Sequence, residues 1–218
     1  MKSLVFNGWA TGPETWELCT FPHDWVFDYV EQLDGLPERV MDETDAAVLV
    51  GFSMGGMTAL RMLLRNPEKV KGLVLVSSTA RMMEDKAADW KGMSLRRRRA
   101  LMLGTQMVFA DDPSPMYEES NMRRGLDYLQ EMDVRDELTR RAGEFARIPV
   151  AILQSERDFI VYAHNAAFLK GVFPQAEVTM VPGNEHVLPI KVPELIDAAV
   201  NGILRGLGLS DAGDGDLV

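Results

Sequence analysis

The sequence has 218 residues, of which 46% are hydrophobic and 26% are charged, and its formal net charge at pH 7 is -10. This length fits one domain with a sizeable core, and the composition is typical of a soluble globular protein. The acidic balance disfavours nucleic acid and anionic membranes as partners.

The composition also narrows the kinds of site to expect. Cys19 is the only cysteine, which excludes an intramolecular disulfide and a cysteine-rich metal site. The three histidines, His23, His164 and His186, are scattered along the chain, so we expect no histidine-based metal site. No apolar run approaches the roughly 20 residues that cross a bilayer, and the first residues read directly as a strand rather than as a signal peptide. We therefore expect a cytoplasmic protein without a membrane segment.

The first quarter of the chain reads as short elements around one glycine-containing loop. Residues 2–7 form an apolar run that predicts a buried strand, followed by Gly8, Trp9 and Gly12. Glycines at the carboxyl end of a strand leave backbone N–H groups free to point into a crevice, although the segment could be a plain connection. The next predicted elements are a short helix over 14–19, a short strand over 25–29, and a helix or turn over 38–45.

The stretch from Val48 to Gly56 carries the strongest functional signal. An apolar run precedes the pentad Gly51-Phe52-Ser53-Met54-Gly55, and helix-forming residues follow it. A serine between a strand and a helix sits in a sharp turn, where a Cβ at Gly51 or Gly55 would collide with backbone. This pattern predicts a nucleophile elbow with Ser53 exposed above the sheet. The alternative is an ordinary strand-to-helix turn in which Ser53 caps the helix.

After the elbow, strands and helices alternate with one interruption. Such alternation predicts a parallel sheet covered on both faces. Residues 81–146 contain no convincing strand but several helical pieces, which predicts a helical lid inserted into a core of residues 1–80 and 147–207. Residues 208–218 are rich in Gly and Asp and predict a flexible acidic tail. The predicted elements are helices over 54–65, 95–108, 116–132, 135–146, 163–172 and 192–207, and strands over 72–78, 149–154 and 177–181.

A nucleophilic serine needs a histidine base, and the histidine needs a carboxylate that fixes its tautomer. His186 follows the strand predicted over 177–181, and Asp158 follows the strand predicted over 149–154. The chain order Ser53, Asp158, His186 matches a nucleophile, acid and base at the carboxyl ends of parallel strands. Glu156 is the rival acid, but it lies closer to the end of its strand. We interpret His23 and His164 as structural.

The oxyanion hole should combine the backbone N–H of Met54, at the start of the helix, with one from the loop after the first strand. By position the second donor is Trp9. The indole of Trp9 would also form a wall of the acyl pocket, unless it simply packs in the core.

These residues resemble the α/β-hydrolase family from Leu4 to Leu207. Within the family, Gly8-Trp9, Ser77-Ser78-Thr79-Ala80 and Trp90-Lys91-Gly92-Met93 resemble the pimeloyl-acyl-carrier-protein methyl ester esterases of biotin synthesis. The resemblance implies a mostly parallel sheet of about six strands that lacks the family's N-terminal strand pair. Two departures concern the substrate: Asn7 replaces the usual histidine before Gly8, and Val187-Leu188-Pro189 follows His186.

The resemblance implies a serine carboxylesterase that needs no cofactor and acts on a small-molecule or carrier-protein-bound ester. Alternatives on the same triad are a thioesterase and a lyase like that of the menaquinone pathway, and a further alternative is a non-catalytic ligand-binding homologue.

The distribution of charge favours a carrier-protein partner. Residues 81–147 hold 13 basic and 13 acidic residues, so the whole net charge lies outside this segment. We expect an acidic acyl carrier protein to dock on lid arginines, Arg96 to Arg99, with Arg123 and Arg124.

Overall fold

The computed structural model describes residues 1–82, 92–94 and 118–209. Within these residues, six strands form one sheet in the order β2-β1-β3-β4-β5-β6, and every neighbouring pair is parallel. This architecture confirms the predicted parallel sheet of about six strands. The strands are β1 (Lys2–Phe6), β2 (Trp25–Phe27), β3 (Ala47–Phe52), β4 (Val70–Val76), β5 (Val150–Ser155) and β6 (Glu177–Val181).

The central strands are apolar at successive positions because both faces of the sheet are covered. In β3, Val48 and Val50 belong to the core cluster on one face, and Leu49 belongs to the cluster on the other. Since side chains alternate across a strand, a strand buried on both faces reads as a continuous apolar run. Burying each such side chain contributes about 1.5–3 kcal/mol relative to leaving it exposed.

Helices connect the strands and cover both faces of the sheet. Helix α3 begins and ends at the residues that the sequence predicts, 54 and 65, and Pro67 follows shortly after it. None of the described helices is long and apolar enough to cross a membrane. The helices are α1 (Tyr29–Leu33), α2 (Leu36–Asp42), α3 (Met54–Arg65), α4 (Glu119–Glu131), α5 (Arg135–Arg141), α6 (His164–Val172), α7 (Leu188–Lys191) and α8 (Pro193–Gly206), with 3-10 helices at Pro13–Trp16 and Ala142–Phe145.

Among the element boundaries that differ from the prediction, two have clear local causes. Strand β2 ends at Phe27 because Asp28 caps α1, a helix that the sequence analysis does not predict: Asp28 Oδ1 accepts from Glu31 N at 2.8 Å, and Glu31 Oε2 accepts from Asp28 N at 3.0 Å. Strand β4 ends at Val76, two residues earlier than predicted. Ser77 adopts φ of 46°, a left-handed conformation that cannot continue a strand.

A stem of two backbone contacts joins the start of the predicted lid to residues 133 and 134, which precede its predicted end at residue 146. Arg81 and Asp133 form an isolated antiparallel bridge, and Val134 N donates to Ala80 O at 3.1 Å. Beyond this stem, Leu138 and Phe145 are fully buried in the core cluster that also contains Leu63. We therefore propose that the lid ends at the stem and that residues 135–146 belong to the core.

Other predictions about the lid and the tail fall on segments that the structure does not describe. The helix predicted over 95–108, which carries Arg96 to Arg99, and most of the tail predicted over 208–218 lie outside the described residues. The helix predicted over 116–132 corresponds to α4, whose first residue is Glu119.

Candidate active site

Ser53 occupies a strained turn between β3 and α3. Its backbone has φ of 54° and ψ of -118°, outside the regions that L-residues prefer, and such a conformation costs about 1–3 kcal/mol. Three hydrogen bonds hold it: Ser53 N donates to Val76 O at 2.9 Å, and Ser53 O accepts from Ser78 Oγ at 2.7 Å and from Gly56 N at 3.0 Å. The neighbouring strand β4 and its following loop therefore stabilise the turn.

The glycines of the pentad are required by close backbone approach. A Cβ built on Gly51 would lie 2.5 Å from Gly56 Cα, and one built on Gly55 would lie 2.1 Å from Phe6 O. Backbone cannot relieve such contacts by a change of rotamer. The chain can double back from β3 into α3 beside β1 only because both positions lack a side chain.

His186 joins Ser53 to Asp158. Its Nε2 lies 2.9 Å from Ser53 Oγ, and its Nδ1 lies 2.7 Å from Asp158 Oδ2. His186 and Asp158 are 3% and 2% exposed. An ionised carboxylate only accepts hydrogen bonds, so Asp158 assigns the proton of neutral His186 to Nδ1. His186 Nε2 is then the acceptor that faces the hydroxyl of Ser53.

Asp158 is held by several donors besides the histidine. Its Oδ1 accepts from the backbone N–H groups of Ile160 and Val161 at 2.8 and 3.0 Å. Its Oδ2 accepts from Gln154 Nε2 at 3.2 Å, and the same amide donates to Val161 O at 2.9 Å. These bonds fix the orientation of the carboxylate. Glu156, the other acid of this loop, is exposed to solvent.

The loops that carry the acid and the histidine are bonded to each other. Arg157 N donates to Gly183 O at 2.9 Å, and Ser155 Oγ donates to Glu185 O at 2.5 Å. The ring of His186 packs against that of Phe52, with their centroids 5.2 Å apart. The imidazole is thus positioned by the ends of β3, β5 and β6. His23 and His164 do not line the cavity described below.

The loop after β1 passes directly beside the nucleophile. A Cβ built on Gly8 would lie 3.2 Å from Ser53 Cβ, so no side chain separates this loop from the serine. Asn7, fully buried, anchors the loop: its Nδ2 donates to Phe27 O, and its Oδ1 accepts from Trp16 Nε1, each at 2.9 Å. This anchoring by β2 and the 3-10 helix is the structural role of the asparagine that replaces the family's usual histidine.

The sequence predicts the backbone N–H groups of Trp9 and Met54 as oxyanion donors, and both residues line the same cavity as Ser53. Met54 is the first residue of α3, and the first N–H groups of a helix have no acceptor within it. The positive end of the helix dipole adds to its affinity for negative charge. Trp9 follows Gly8 in the loop beside the serine. Its indole is both buried and part of the cavity wall, so the two alternatives raised by the sequence coincide.

A mostly apolar cavity, partly open to solvent, is lined by Ser53 and His186 of the candidate triad. Its apolar wall suits an acyl chain, and Thr79 is its polar residue besides Ser53 and His186. Within the described residues, no group of three or more His, Cys, Asp and Glu side chains could hold a metal ion. The cavity is lined by Trp9, Ser53, Met54, Met57, Thr79, Met82, Leu129, Ile160, Val161 and His186.

Sequence reasoning missed the supporting residues of the site. Gln154 and Ser155 are polar residues at the end of an otherwise apolar strand, which is a weak signal that the strand ends at a site. Ser78 is one of two consecutive serines after β4. Ser78 and Ser155 bond to residues about 25 to 30 positions away, and Gln154 bonds to Asp158 in the turn that follows its strand. These partners become apparent only when the fold brings the ends of the strands together.

Several known proteins are similar to this chain in sequence. A family model described as the Alpha/beta hydrolase family matches residues 8–199. The pimeloyl-[acyl-carrier protein] methyl ester esterase of Yersinia enterocolitica is 27% identical over 77% of this chain and 73% of the relative. That of Cronobacter sakazakii is 28% identical over 89% and 90%.

Solved structures share the fold at lower identity. A thermophilic esterase has a TM-score of 0.67 at 20% identity, covering 95% of this chain and 90% of its own. The enol-lactonase of Burkholderia xenovorans has a TM-score of 0.68 at 16% identity, covering 94% and 91%.

Proposed function

We propose that this chain, which belongs to the alpha/beta hydrolase family, is a serine esterase whose catalytic triad is Ser53, His186 and Asp158. One observation carries the proposal: the 2.9 Å and 2.7 Å contacts that connect the serine hydroxyl, the imidazole and the buried carboxylate. Burial strengthens these contacts, since the site has a lower dielectric than water.

The proposed reaction has two half-reactions. Ser53 Oγ attacks the acyl carbon of the ester while His186 Nε2 takes its proton, and Asp158 stabilises the resulting imidazolium. The backbone N–H groups of Trp9 and Met54 hold the oxyanion of the tetrahedral intermediate. The intermediate collapses when the C–O bond to the alcohol breaks and His186 protonates the leaving oxygen. Water, deprotonated by His186, then releases the carboxylic acid from the acyl-enzyme by the same steps.

A fluorophosphonate probe tests the nucleophile directly. It should label the wild-type protein, because Ser53 Oγ displaces fluoride from phosphorus and forms a phosphonate ester that resembles the tetrahedral intermediate, and it should not label Ser53→Ala. The Ser53→Ala variant should also hydrolyse p-nitrophenyl butyrate far more slowly than wild type, because only substrate binding and the oxyanion hole remain to assist the reaction. Equal labelling of both proteins would reject Ser53 as the nucleophile, and an unlabelled wild-type protein that leaves the ester intact would favour a non-catalytic binding homologue.

The relatives' names and the apolar cavity support a finer proposal for the substrate. The named relatives are methyl ester esterases of pimeloyl-[acyl-carrier protein], and a chain of methylene groups suits a wall of Met, Leu, Ile and Val. We infer that the substrate is the methyl ester of an acyl group carried on such a protein. Release of methanol from pimeloyl-[acyl-carrier protein] methyl ester should then exceed turnover of an acyl-CoA thioester. The reverse preference would indicate a thioesterase, and turnover of the menaquinone-pathway intermediate alone would indicate the lyase.

A carrier-protein partner would need a basic docking surface on this acidic protein. Arg96 to Arg99, outside the described residues, form a basic run in the sequence. Arg124 pairs with Asp34 at 2.5 Å and Arg123 pairs with Glu119 at 3.0 Å, all of them exposed. Because these two arginines already have carboxylate partners, we assign most of the proposed steering to Arg96 to Arg99.

A further inference from the structure

Helix α4 lies directly against the side chain of Trp9. Trp9 Nε1 donates to the backbone carbonyl of Met122 at 3.1 Å, although the two residues are 113 positions apart. One turn along the helix, a Cβ built on Gly125 would lie 2.4 Å from Trp9 Cδ1 and 2.7 Å from Trp9 Nε1. The indole therefore touches bare helix backbone, and the absence of a side chain at Gly125 makes this contact possible.

Helix α4 is fixed to the core on both sides of this contact. The Tyr128 hydroxyl lies 3.1 Å from Thr58 Oγ1 on α3, and Arg124 pairs with Asp34 after α1. The guanidinium of Arg61 lies 5.1 Å above the ring of Tyr128. A methyl group at Gly125 could therefore be accommodated by moving the helix only if these contacts broke. We expect the methyl to displace the indole instead, because Trp9 lies on a loop rather than within a helix or strand.

The backbone of Trp9 lies where such a displacement matters. A Cβ built on Gly8, the preceding residue, would lie 3.2 Å from Ser53 Cβ, and Asn7 is anchored to Phe27 on β2. The loop is thus held at its start by the sheet and at Trp9 by α4. Oxyanion stabilisation depends on donors within a few tenths of an ångström of 2.7–3.1 Å from the developing charge.

We propose that Gly125 is a positioning residue for the oxyanion hole. Its missing side chain lets α4 hold the indole of Trp9, and the fixed indole sets the direction of the Trp9 backbone N–H toward the acyl oxygen bound to Ser53. This proposal rests on the esterase function proposed above. Helix α4, in the lid region, would then help to position an oxyanion donor, a role that the geometry of the triad alone does not reveal.

The test compares two glycine-to-alanine variants in the middle of helices. Gly125→Ala introduces the contact with Trp9, and Gly202→Ala in α8 is the matched control, since within the described residues no atom beyond its chain neighbours and its own helix backbone lies within 4 Å of the added methyl. Both changes bring the same gain in helix propensity. The readouts are kcat and KM for p-nitrophenyl butyrate, and Ki for an alkyl trifluoromethyl ketone. Ser53 Oγ adds to the ketone carbon, its proton passes to His186, and the carbonyl oxygen becomes an oxyanion.

We expect Gly125→Ala to lower kcat about 10-fold to 100-fold and to weaken ketone binding by a similar factor, with KM within about twofold of wild type. Gly202→Ala should match wild type in all three. A role in stability alone would lower the melting temperature of Gly125→Ala without changing Ki. Unchanged Ki in folded Gly125→Ala would therefore overturn the proposal.

A double-mutant cycle shows whether the effect passes through the indole. In a Trp9→Ala background, Gly125→Ala should cause little further loss in kcat or Ki, because the indole is gone and the nearest remaining atom, Tyr29 Cε2, lies 3.3 Å from the methyl. The same loss in both backgrounds would overturn the proposal. If Gly125→Ala does not fold, Trp9→Phe removes the donor to Met122 O and should also weaken ketone binding, and an unchanged Ki there would contradict the proposal. Wild-type protein that neither hydrolyses the ester nor binds the ketone would instead reject the esterase function itself.

Discussion

Asp158 accepts hydrogen bonds from four groups, namely His186, Gln154 and the backbone N–H groups of Ile160 and Val161. This arrangement suits an ionised carboxylate, which accepts at both oxygens and donates at neither. We interpret its role as selecting the imidazole tautomer that leaves Nε2 free to accept the serine proton.

Asp158→Asn should preserve the shape of the site but present an amide to His186 Nδ1. The amide can donate to Nδ1 and so favour the wrong tautomer, and we expect kcat for p-nitrophenyl butyrate to fall about 10³-fold to 10⁴-fold with little change in KM. Glu156→Gln, which neutralises the exposed acid of the same loop, is the matched control and should keep wild-type kcat. A large loss in Glu156→Gln with activity retained in Asp158→Asn would reverse the assignment of the acid.

The residues proposed for the triad could be located from sequence because each follows a recognisable strand. Ser53 has the glycine pentad, and Asp158 and His186 lie in the loops that follow β5 and β6. Parallel strands bring their carboxyl ends to one edge, so sequence position gives approximate spatial position. The role of Gln154 could not be located in this way. Its amide matters because it donates to Asp158, and that contact forms only when the loop after β5 folds back against the strand.

At the scale of elements, the turn from β3 into α3 depends on a backbone contact with β1. Gly55→Ala would place a methyl 2.1 Å from Phe6 O, where neither partner has a rotamer to change. We expect a loss of more than about 2 kcal/mol in the free energy of unfolding, measured by urea denaturation, because overpacking in a tight site costs about 1–3 kcal/mol and here also strains the backbone. Gly202→Ala should instead be neutral or stabilising by up to about 1 kcal/mol. Equal stability of the two variants would contradict the close approach of α3 to β1.

Helix α4 should become less firmly attached at alkaline pH. Burial raises the pKa of the Tyr128 phenol, which outweighs the opposite effects of Arg61 and of the Thr58 hydrogen bond. Its stabilising contribution is then complete below the ordinary tyrosine pKa of about 10 and is lost as pH rises through the raised value. Tyr128→Phe cannot ionise, so its unfolding free energy should fall less between pH 10 and 11.5 than that of its parent.

The comparison is best made in a Cys19→Ala background. Burial, with smaller contributions from Asp197 and Glu194, raises the pKa of the Cys19 thiol to about 12, so this group acts in the same direction above pH 9. Urea denaturation at each pH measures both proteins. Identical slopes would mean that the Tyr128 hydroxyl is not buried against Thr58.

Element boundaries were predictable where one residue type sets them and not where a distant contact does. Asn66 and Pro67 after α3 mark its end, and the predicted and observed bounds agree. Helix α1 has only five residues, too few for a periodic pattern, and depends on the Asp28 and Glu31 capping box. The amphipathic pattern of residues 135–146 fits a lid helix as well as a core helix. The proposed assignment to the core therefore depends on the burial of Leu138 and Phe145, which the sequence alone does not reveal.

At the scale of the whole molecule, charge is distributed by segment. The net charge of -10 lies outside residues 81–147, which are balanced in acidic and basic residues. An acidic carrier protein would be repelled by most of the surface and attracted only where basic residues cluster. The basic run Arg96 to Arg99 is the strongest such cluster in the sequence.

Replacing all four of these arginines with glutamine should therefore raise KM for pimeloyl-[acyl-carrier protein] methyl ester several-fold, since long-range attraction speeds the encounter of opposite charges. The effect should shrink as salt increases, because the Debye length falls from about 30 Å at 0.01 M to about 10 Å at 0.1 M. Hydrolysis of p-nitrophenyl butyrate should stay near the wild-type rate, because a neutral small ester gains nothing from steering. Arg123→Gln with Arg124→Gln is the matched control and should change KM less, since both side chains already pair with carboxylates. Equal losses on both esters would assign the four arginines to packing and remove the electrostatic argument for a carrier-protein partner.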